Sequence, residues 1–511
     1  IIDTLVLSRL FNPVKEGGHS LNQWGHTLGF KKGDFKEFET YSAEMLDYCI
    51  RDVELNTQVY YALKELSRGF SPVSVNLEHK VADIMKQQEA HGFYFDGMKA
   101  ELLLAEIRER MQVVEAETKE VFLPKIIKQK LYPRYTMAGA ISKIADKEEA
   151  YNLRHFDDEA ADAISGVRLT EEEHELFAEK NHEVPLHITR TTCIELNIGS
   201  RKQIGEYLQD FGWKPTELTV HGRPVVNEKT LSKIQGIPQA ELIKEFFLLQ
   251  KREGQIKSWL EKVEDDSRVH AFVIPNGTIT GRMSHKSPNM AQVPNLGSKY
   301  GAECRSCWTA PEGKVLVGAD ASGLELRCLA HYLNGWDKGA YTRELLTGDI
   351  HTANQKAAGL PTRDDAKTFI YAFLYGAGDA KIGSIVGGSS KEGKKLKAAF
   401  LRKIPAIRKL SDAVAAKVQA TNVLTGLDGR QLPCRSPHSA LNLLLQSAGA
   451  VVMKQALIEF VRMAKLPYEI HGNIHDEVQF SCDAKHADEL GRCFVNSLAK
   501  AGKVLGFKCP L

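Results

Sequence analysis

The stretch YEIHGNIHDEVQF, residues 468–480, alternates apolar and polar residues on either side of His475, Asp476 and Glu477. That period predicts two strands joined by a tight turn, with the acids at the turn. Adjacent carboxylates in a turn have an ordinary explanation, because turns are solvated. A chemical explanation requires partners elsewhere in the chain that converge on the same acids.

Composition limits where to look. A chain of 511 residues, 43% hydrophobic and 26% charged, reads as a large multidomain globular protein rather than a disordered one. No run of 18 or more apolar residues occurs, so no membrane partner is expected. The opening IIDTLVLSRL reaches Asp3 too early for a secretory leader, and a chain that begins on Ile reads as a fragment or a processed product. Nine cysteines at irregular spacing fit a reducing compartment. The pair Cys304 and Cys307 has no second pair or nearby histidines at zinc-ligand spacing. A net charge of +2 does not by itself announce a nucleic-acid binder, so such a role must rest on local patches.

Apolar residues at spacings of three and four predict helix from about 79 to 122 and again from about 238 to 262, the latter carrying Lys251, Arg252 and Lys257 near its end. Residues 123–192 differ in character. Up to Arg154 they hold seven Lys/Arg against three acids, and beyond it three against ten, which reads as an inserted module. From 311 onward helices and short strands mix, which points to an α+β architecture.

The partners for the acidic turn lie in two further segments. In PEGKVLVGADASGLELRCLAHYL, residues 311–333, Lys314 to Ala319 reads as a buried strand ending at Asp320, with a helix following. Asp320 therefore sits at a strand-to-helix junction, where an aspartate also commonly caps a helix. In PTRDDAKTFIYAFLYGAGD, residues 361–379, Arg363, Lys367, Tyr371 and Tyr375 recur every four residues. On a helix this makes a drifting stripe, cationic at its start and aromatic toward its end, which Gly376 and Gly378 stop. Cations for phosphates and rings for a base or sugar suit a nucleoside triphosphate, although a plain amphipathic helix would show the same spacing. Asp364 and Asp365 fall in the first turn, off the stripe, where carboxylates favour the helix dipole.

Taken together, these segments resemble the family A DNA polymerases, most closely the replicative polymerases of short-tailed bacteriophages. The resemblance rests on DASGLELR at 320–327, RDDAKTFIYAFLYG at 363–376 and HDE at 475–477, in the family's order. TGRMSHKSPNMAQVP at 280–294, GDIHT at 348–352 and SPHSALNLLLQSAGA at 436–450 extend it. It covers the chain from residue 1 to the end and is weakest over 123–192.

The resemblance implies a right-hand α+β multidomain polymerase with an antiparallel palm sheet and helical fingers and thumb. Residues 1–72 would be a remnant of an RNase H-like 3′–5′ exonuclease domain, and 73–262 a thumb with the insertion at about 123–192. Residues 263–350 and 425–511 would form the palm, and 351–424 the fingers. It implies primer extension with deoxynucleoside triphosphates (dNTPs) on a DNA template, in phage replication within the cytoplasm of an infected bacterium. Asp320 and Asp476 would hold two Mg²⁺ ions, hard cations that select carboxylate oxygen, with Glu477 a weaker third acid. Arg363 and Lys367 would meet the triphosphate, with His351 a further contact. Tyr371 would stack near the sugar, Tyr375 would lie by the template base, and Glu325 would close on the 2′ position. A tyrosine rather than a phenylalanine at 371 implies tolerance of 2′,3′-dideoxynucleotides. Arg282, Asn289, Gln292, His438, Asn442 and Gln446 would face the minor groove of the primer-template DNA, where acceptors common to all base pairs are presented. Lys251, Arg252 and Lys257 would meet its phosphates.

Three features depart from the family pattern. Tyr48 and Asp52, in YCIRD at 48–52, match the third exonuclease motif, but the upstream carboxylates are missing, so no proofreading is expected from this chain. VLGFKCPL at 504–511 ends before the tail that usually completes the palm. The insertion carries thirteen acids against ten Lys/Arg, whereas the phage relatives have a basic segment there that binds thioredoxin as a processivity factor. A thioredoxin-like partner, a different one or none is compatible with that composition, and a replicative helicase-primase is the other partner implied. Two competing readings remain. A catalytically inactive primer-template binder would lack one of the acids or cations, and Asp320, Asp476, Arg363 and Lys367 are all present. A related single-subunit RNA polymerase is disfavoured by Glu325.

Overall fold

The structure, a computed structural model, describes residues 1–131 and 188–511, without the side chains of 127–131 and 188–192. Most of the insertion expected at 123–192 lies outside the described residues. Its two ends form antiparallel strands, Lys125–Leu131 and Ile188–Ile194, with Lys125 opposite Ile194 and Leu131 opposite Ile188.

The chain divides into two compact units, one made of residues 1–103 and 256–511 and the other of residues 104–255. In the smaller unit, parts of two long helices, Gly97–Val121 and Gln239–Leu260, lie side by side. Arg110 forks onto Glu245 at 3.0 and 2.9 Å, and Arg108 pairs with Glu253 at 3.0 Å.

The single helix expected from 79 to 122 is two. Pro72–His91 ends at Gly92, whose φ of +62° with ψ near 180° is open essentially to glycine alone. A Cβ there would also meet the His270 ring at 2.8 Å. Phe93–Tyr94 then pairs with Arg268–Val269 before the next helix begins at Gly97. Phe93 and Phe95 fit a helical period, but they pack instead on Trp308, with ring centroids at 5.4 and 4.7 Å.

The larger unit is built around the helix Ala440–Met463, which is apolar on nearly every side. By length and composition this segment could cross a membrane, yet 78% of its most apolar window is buried inside the protein. Helices Pro72–His91, Leu324–Asp337, Pro405–Thr421 and Ala487–Val504 pack around it.

Beside this bundle lies a three-stranded antiparallel sheet in the order Glu469–Ile474, Glu477–Asp483, Lys314–Asp320. The central strand buries Val478, Phe480 and Cys482. Lys314–Asp320, expected to be buried, is an edge strand: Val315, Val317 and Ala319 are half-buried, whereas Lys314, Leu316, Gly318 and Asp320 are exposed. Its apolar residues suggested cover on both faces, but an antiparallel strand packed on one face alternates in this way.

A charged cluster sits inside the same unit. Arg430 forks onto Asp428 at 2.9 and 2.7 Å and reaches Glu78 at 2.6 Å. Lys454 donates to the same Glu78 oxygen at 2.6 Å. All four residues are under 5% exposed, and two cations balance two carboxylates. The cluster joins the helices Pro72–His91 and Ala440–Met463 to the loop before Gln431. Removing one member of such a cluster strands its partners in a low-dielectric interior. Arg430→Met is expected to lower the unfolding free energy by about 3–5 kcal/mol. Urea unfolding measures this, and a loss below about 1 kcal/mol, the range of a surface ion pair, would contradict the cluster's burial.

Candidate active site

Strand pairing brings the sequence-remote acids together. Glu477 stands directly opposite Asp320 in the sheet, and Ile474 opposite Glu477, so His475 and Asp476 form a two-residue hairpin loop. Such loops call for positive φ, and His475 adopts +57° although it is not glycine. The Asp476 carbonyl then accepts from the Ala321 backbone N–H at 2.9 Å, which fixes the turn against the residue following Asp320. The capping alternative for Asp320 does not hold, because the following helix starts from Gly323 with no side-chain cap.

The gathered acids disturb one another. Asp320 is pushed above the usual carboxylate range, first by burial and then by Glu477 and Glu325. Asp476 is pushed up to about 6 by burial and by Glu325, with Asp320 adding and Arg282 opposing. Burial and then the same three acids, Glu325, Asp476 and Asp320, raise the Tyr371 phenol. Glu325 is tied down by the Tyr375 hydroxyl at 2.8 Å and the Arg282 guanidinium at 3.3 Å. Glu477 accepts from the Gln479 amide at 2.7 Å and borders a cavity of about 160 Å³.

Among the described residues, no three His, Cys, Asp or Glu side chains gather into a ready-made cation cage. Two repelling carboxylates with hard oxygen donors nevertheless fit Mg²⁺, which keeps waters and commonly binds one or two protein carboxylates together with substrate phosphates.

Arg363, Lys367 and Tyr371 of the cationic and aromatic stripe lie on the helix Arg363–Leu374. Thr362 and Asp365 form a capping box at its start, so Asp365 is accounted for structurally. Arg363 forks onto Asp349 at 2.7 and 3.2 Å. Asp349 in turn caps the helix Ile350–Ala358 by accepting from the His351 and Thr352 N–H groups. These bonds, Arg363 foremost, hold the Asp349 carboxyl well below its usual range. Lys367 is exposed. His351 lies 6.5 Å from the Tyr371 ring, and burial followed by Arg363 lowers its pKa, so the imidazole is neutral at pH 7. Tyr375 is the residue after the last helical turn rather than part of it.

Sequence reasoning missed Asp349 and the Arg282–Glu325–Tyr375 link. The signal for Asp349 was present in GDIHT, an acid immediately before a helix. The link left no local trace, since its three members come from separate segments.

The expected DNA contacts divide. From Ala440 to Lys454 every side chain is buried except Asn442 and Gln446, which are half-buried one turn apart on one face. The Asn442 amide oxygen has no hydrogen-bond partner. His438, Asn289 and Gln292 are exposed, although the Asn289 amide oxygen caps the short turn Met290–Gln292. Lys251 and Lys257 are exposed, with Lys251 3.4 Å from Glu228. Arg252 corrects the expectation: it is 5% exposed and donates to Gln255 at 2.9 Å, so it presents no face to a phosphate. Helical spacing aligned it with its neighbours but could not reveal that it turns inward.

Tyr48 and Asp52 lie one turn apart on the helix Ala43–Leu66, around Lys32. The Lys32 ammonium is 3.3 Å from Asp52 and 5.1 Å from the Tyr48 ring centroid. A cavity of about 910 Å³, bordered by Trp336, Tyr341, Asp349 and Asn354, lies apart from Asp320 and Asp476.

The sequence model of DNA polymerase family A matches residues 168–511. The DNA-directed DNA polymerases of Enterobacteria phage T3 and Escherichia phage T7 are each 34% identical to this chain, over 100% of it and 86% of their own length. A solved structure of the POL domain of Pol1 from M. smegmatis, in complex with DNA primer-template and dNTP, shares the fold at a TM-score of 0.74. Its identity is 18%, over 98% of this chain and 78% of that one.

The strain at Asp476 has a sign that can be measured. A carboxyl whose folded pKa is raised binds its proton more tightly when folded, so its anionic form opposes folding. The opposition is absent below the ordinary carboxylate pKa near 4 and complete above about 6. Asp476→Asn is expected to stabilise the metal-free protein at pH 8 by about 3 kcal/mol and to have no effect near pH 4. Thermal unfolding in EDTA at the two pH values reads the difference. Equal shifts at both would remove electrostatic strain as the cause.

Proposed function

The chain belongs to the family A DNA polymerases, and we propose that Asp320 and Asp476 are the acids on which its catalysis depends. It is a DNA-directed DNA polymerase and carries out template-directed DNA synthesis. The observation that carries the assignment is the Ala321-to-Asp476 backbone bond beside the Asp320–Glu477 pair, with the two acids at one end of one sheet. Family A polymerases generally use divalent metal ions. Two Mg²⁺ ions held by Asp320 and Asp476 would activate the primer 3′-hydroxyl and neutralise charge on the departing pyrophosphate.

The remaining roles belong to this chain's own side chains. Arg363 and Lys367 bind the triphosphate, and Asp349 aims the Arg363 guanidinium. Neutral His351 offers a further hydrogen bond, and Tyr371 packs on the sugar. Tyr375 lies by the template base and, with Arg282, holds Glu325 as a wall against a 2′-hydroxyl. Arg282, Asn289, Gln292, His438, Asn442 and Gln446 meet the minor groove of the primer-template, while Lys251 and Lys257 meet phosphates. Glu477 has a lesser share, consistent with its engagement by Gln479.

In domain terms, residues 1–72 correspond to part of an exonuclease-like domain and 73–262 to the thumb carrying the insertion. Residues 263–350 and 425–511 correspond to the palm, and 351–424 to the fingers. The solved neighbour's complex with primer-template and dNTP supports these as the ligands here. The likeness to phage enzymes supports a role in phage DNA replication in the host cytoplasm. A thioredoxin-like factor at the insertion and a helicase-primase complete the partners proposed.

Single-nucleotide incorporation tests the central assignment. Asp320→Asn and Asp476→Asn are each expected to lower kcat by about 100-fold or more while primer-template affinity is retained. Full extension by Asp476→Asn would remove the assignment. Substrate selection tests the nucleotide face. Tyr371→Phe should increase discrimination against dideoxynucleotides, and Glu325→Ala should admit ribonucleotides. Unchanged dideoxy and ribo incorporation ratios would make both side chains ordinary surface residues.

A further inference from the structure

Against the catalytic hairpin lies a cavity of about 20 Å³, walled by Arg282, Lys454, Asn473, His475 and Asp476 over an apolar floor. A single water needs about 10–15 Å³ of such space and two to four polar partners. Both conditions are met here. Asn473 is 3% exposed, its carbonyl accepts from His285 Nε2 at 3.0 Å, and its Nδ2 has no acceptor. Lys454 is 1% exposed and donates to Glu78 at 2.6 Å, whereas an ammonium can donate three hydrogen bonds. Burial lowers the Lys454 pKa to about 8 against the pull of Glu78, as expected of an ammonium short of solvation.

We propose that this cavity binds one ordered water, and that Lys454 acts through it as a positioning residue for Asp476. The water accepts from Lys454 Nζ and Asn473 Nδ2 and donates toward Asp476. The hairpin has reason to need a second anchor. Asp476 sits in a two-residue loop whose other residue holds a positive φ, and the Ala321 bond fixes its backbone but not its carboxylate. Lys454, by contrast, is fixed on the central helix and bound into the Glu78–Arg430–Asp428 cluster. The water thus couples a buried, mutually bonded charge cluster to the Asp476 carboxylate. Partners behind a metal-binding side chain act in this way, and their loss typically lowers metal affinity or activity 10–100-fold.

The inference rests on Asp476 being a catalytic acid, and the test separates the two. Lys454→Met alone would leave Glu78 short of a partner and could unfold the protein, so Glu78→Gln/Lys454→Met, which removes both charges, is the informative variant. In the full chain with primer-template, kcat for single-nucleotide incorporation is expected to fall about 10–100-fold with the dNTP KM unchanged. Mn²⁺ binding, read from the electron paramagnetic resonance signal of the free ion, is expected to weaken in parallel. A folded double variant with wild-type kcat and Mn²⁺ affinity overturns the proposal, provided Asp476→Asn is inactive. If Asp476→Asn is active, the reading of the site itself has failed. Should the double variant not fold, a crystal structure of the wild-type protein decides. A water bonded to both Lys454 and Asn473 supports the proposal, and a cavity without one overturns it.

Discussion

The convergence of Asp320 and Asp476 depends on the register between the strands Lys314–Asp320 and Glu477–Asp483. Because side chains alternate along a strand, a slip of one residue would turn Asp320 to the opposite face and uncouple it from Glu477. The register is held from within. Val478, Phe480 and Cys482 of the central strand are buried, and a slip would expose all three. The Ala321 bond to Asp476 extends the ladder one step beyond the last paired residues, into the turn itself. The hydrophobic core and the convergence of the acids are therefore consequences of one pairing.

That convergence opposes stability, and the surroundings show how it is tolerated. Burial and the neighbouring carboxylates raise the proton affinity of Asp320 and Asp476, as expected where a site is arranged for chemistry rather than for folding. Arg282 is the described cation that counters them from within, and the Tyr375 hydroxyl relieves Glu325 without adding charge. The two-residue turn carrying the strain is braced by the edge strand through the Ala321 bond and borders a small cavity against the central helix. A turn fixed in this way can hold like charges close together until a cation and a triphosphate arrive.

Local pattern foretold the elements whose causes are local. The strand, turn and strand of 468–480 appear as Glu469–Ile474 and Glu477–Asp483, and Arg363, Lys367 and Tyr371 of the stripe lie on a helix whose first-turn acids sit off it. Period and turn chemistry act over a few residues, so a few residues suffice to read them. What escaped depends on contacts between distant segments. Gly92 breaks an apparently continuous helix because the strand partner of Phe93–Tyr94 and the Trp308 ring lie elsewhere in the chain. Spacing cannot distinguish the inward Arg252 from the exposed Lys251. The Glu78–Arg430–Lys454 cluster joins residues separated by several hundred positions, with no periodic signal. The resemblance in motifs named the acids, but their mutual perturbation becomes legible only in three dimensions.

The pairing of Arg363 with Asp349 appears at first to argue against a phosphate-binding role, since the guanidinium already has a carboxylate partner. Exposure resolves the conflict. Both side chains are about half exposed, and pairs in that setting contribute little because water and salt compete with them. A triphosphate brings more negative charge than one carboxylate, with several oxygens at guanidinium spacing, so it can share or displace Asp349. What Asp349 provides meanwhile is orientation. Its backbone is locked by the helix it caps, and its two oxygens fix the plane of the Arg363 fork before substrate binds. A side chain with many rotamers is thereby held in one, and less entropy is lost when the phosphates arrive. The acid nearest the cation thus prepares the phosphate site rather than blocking it.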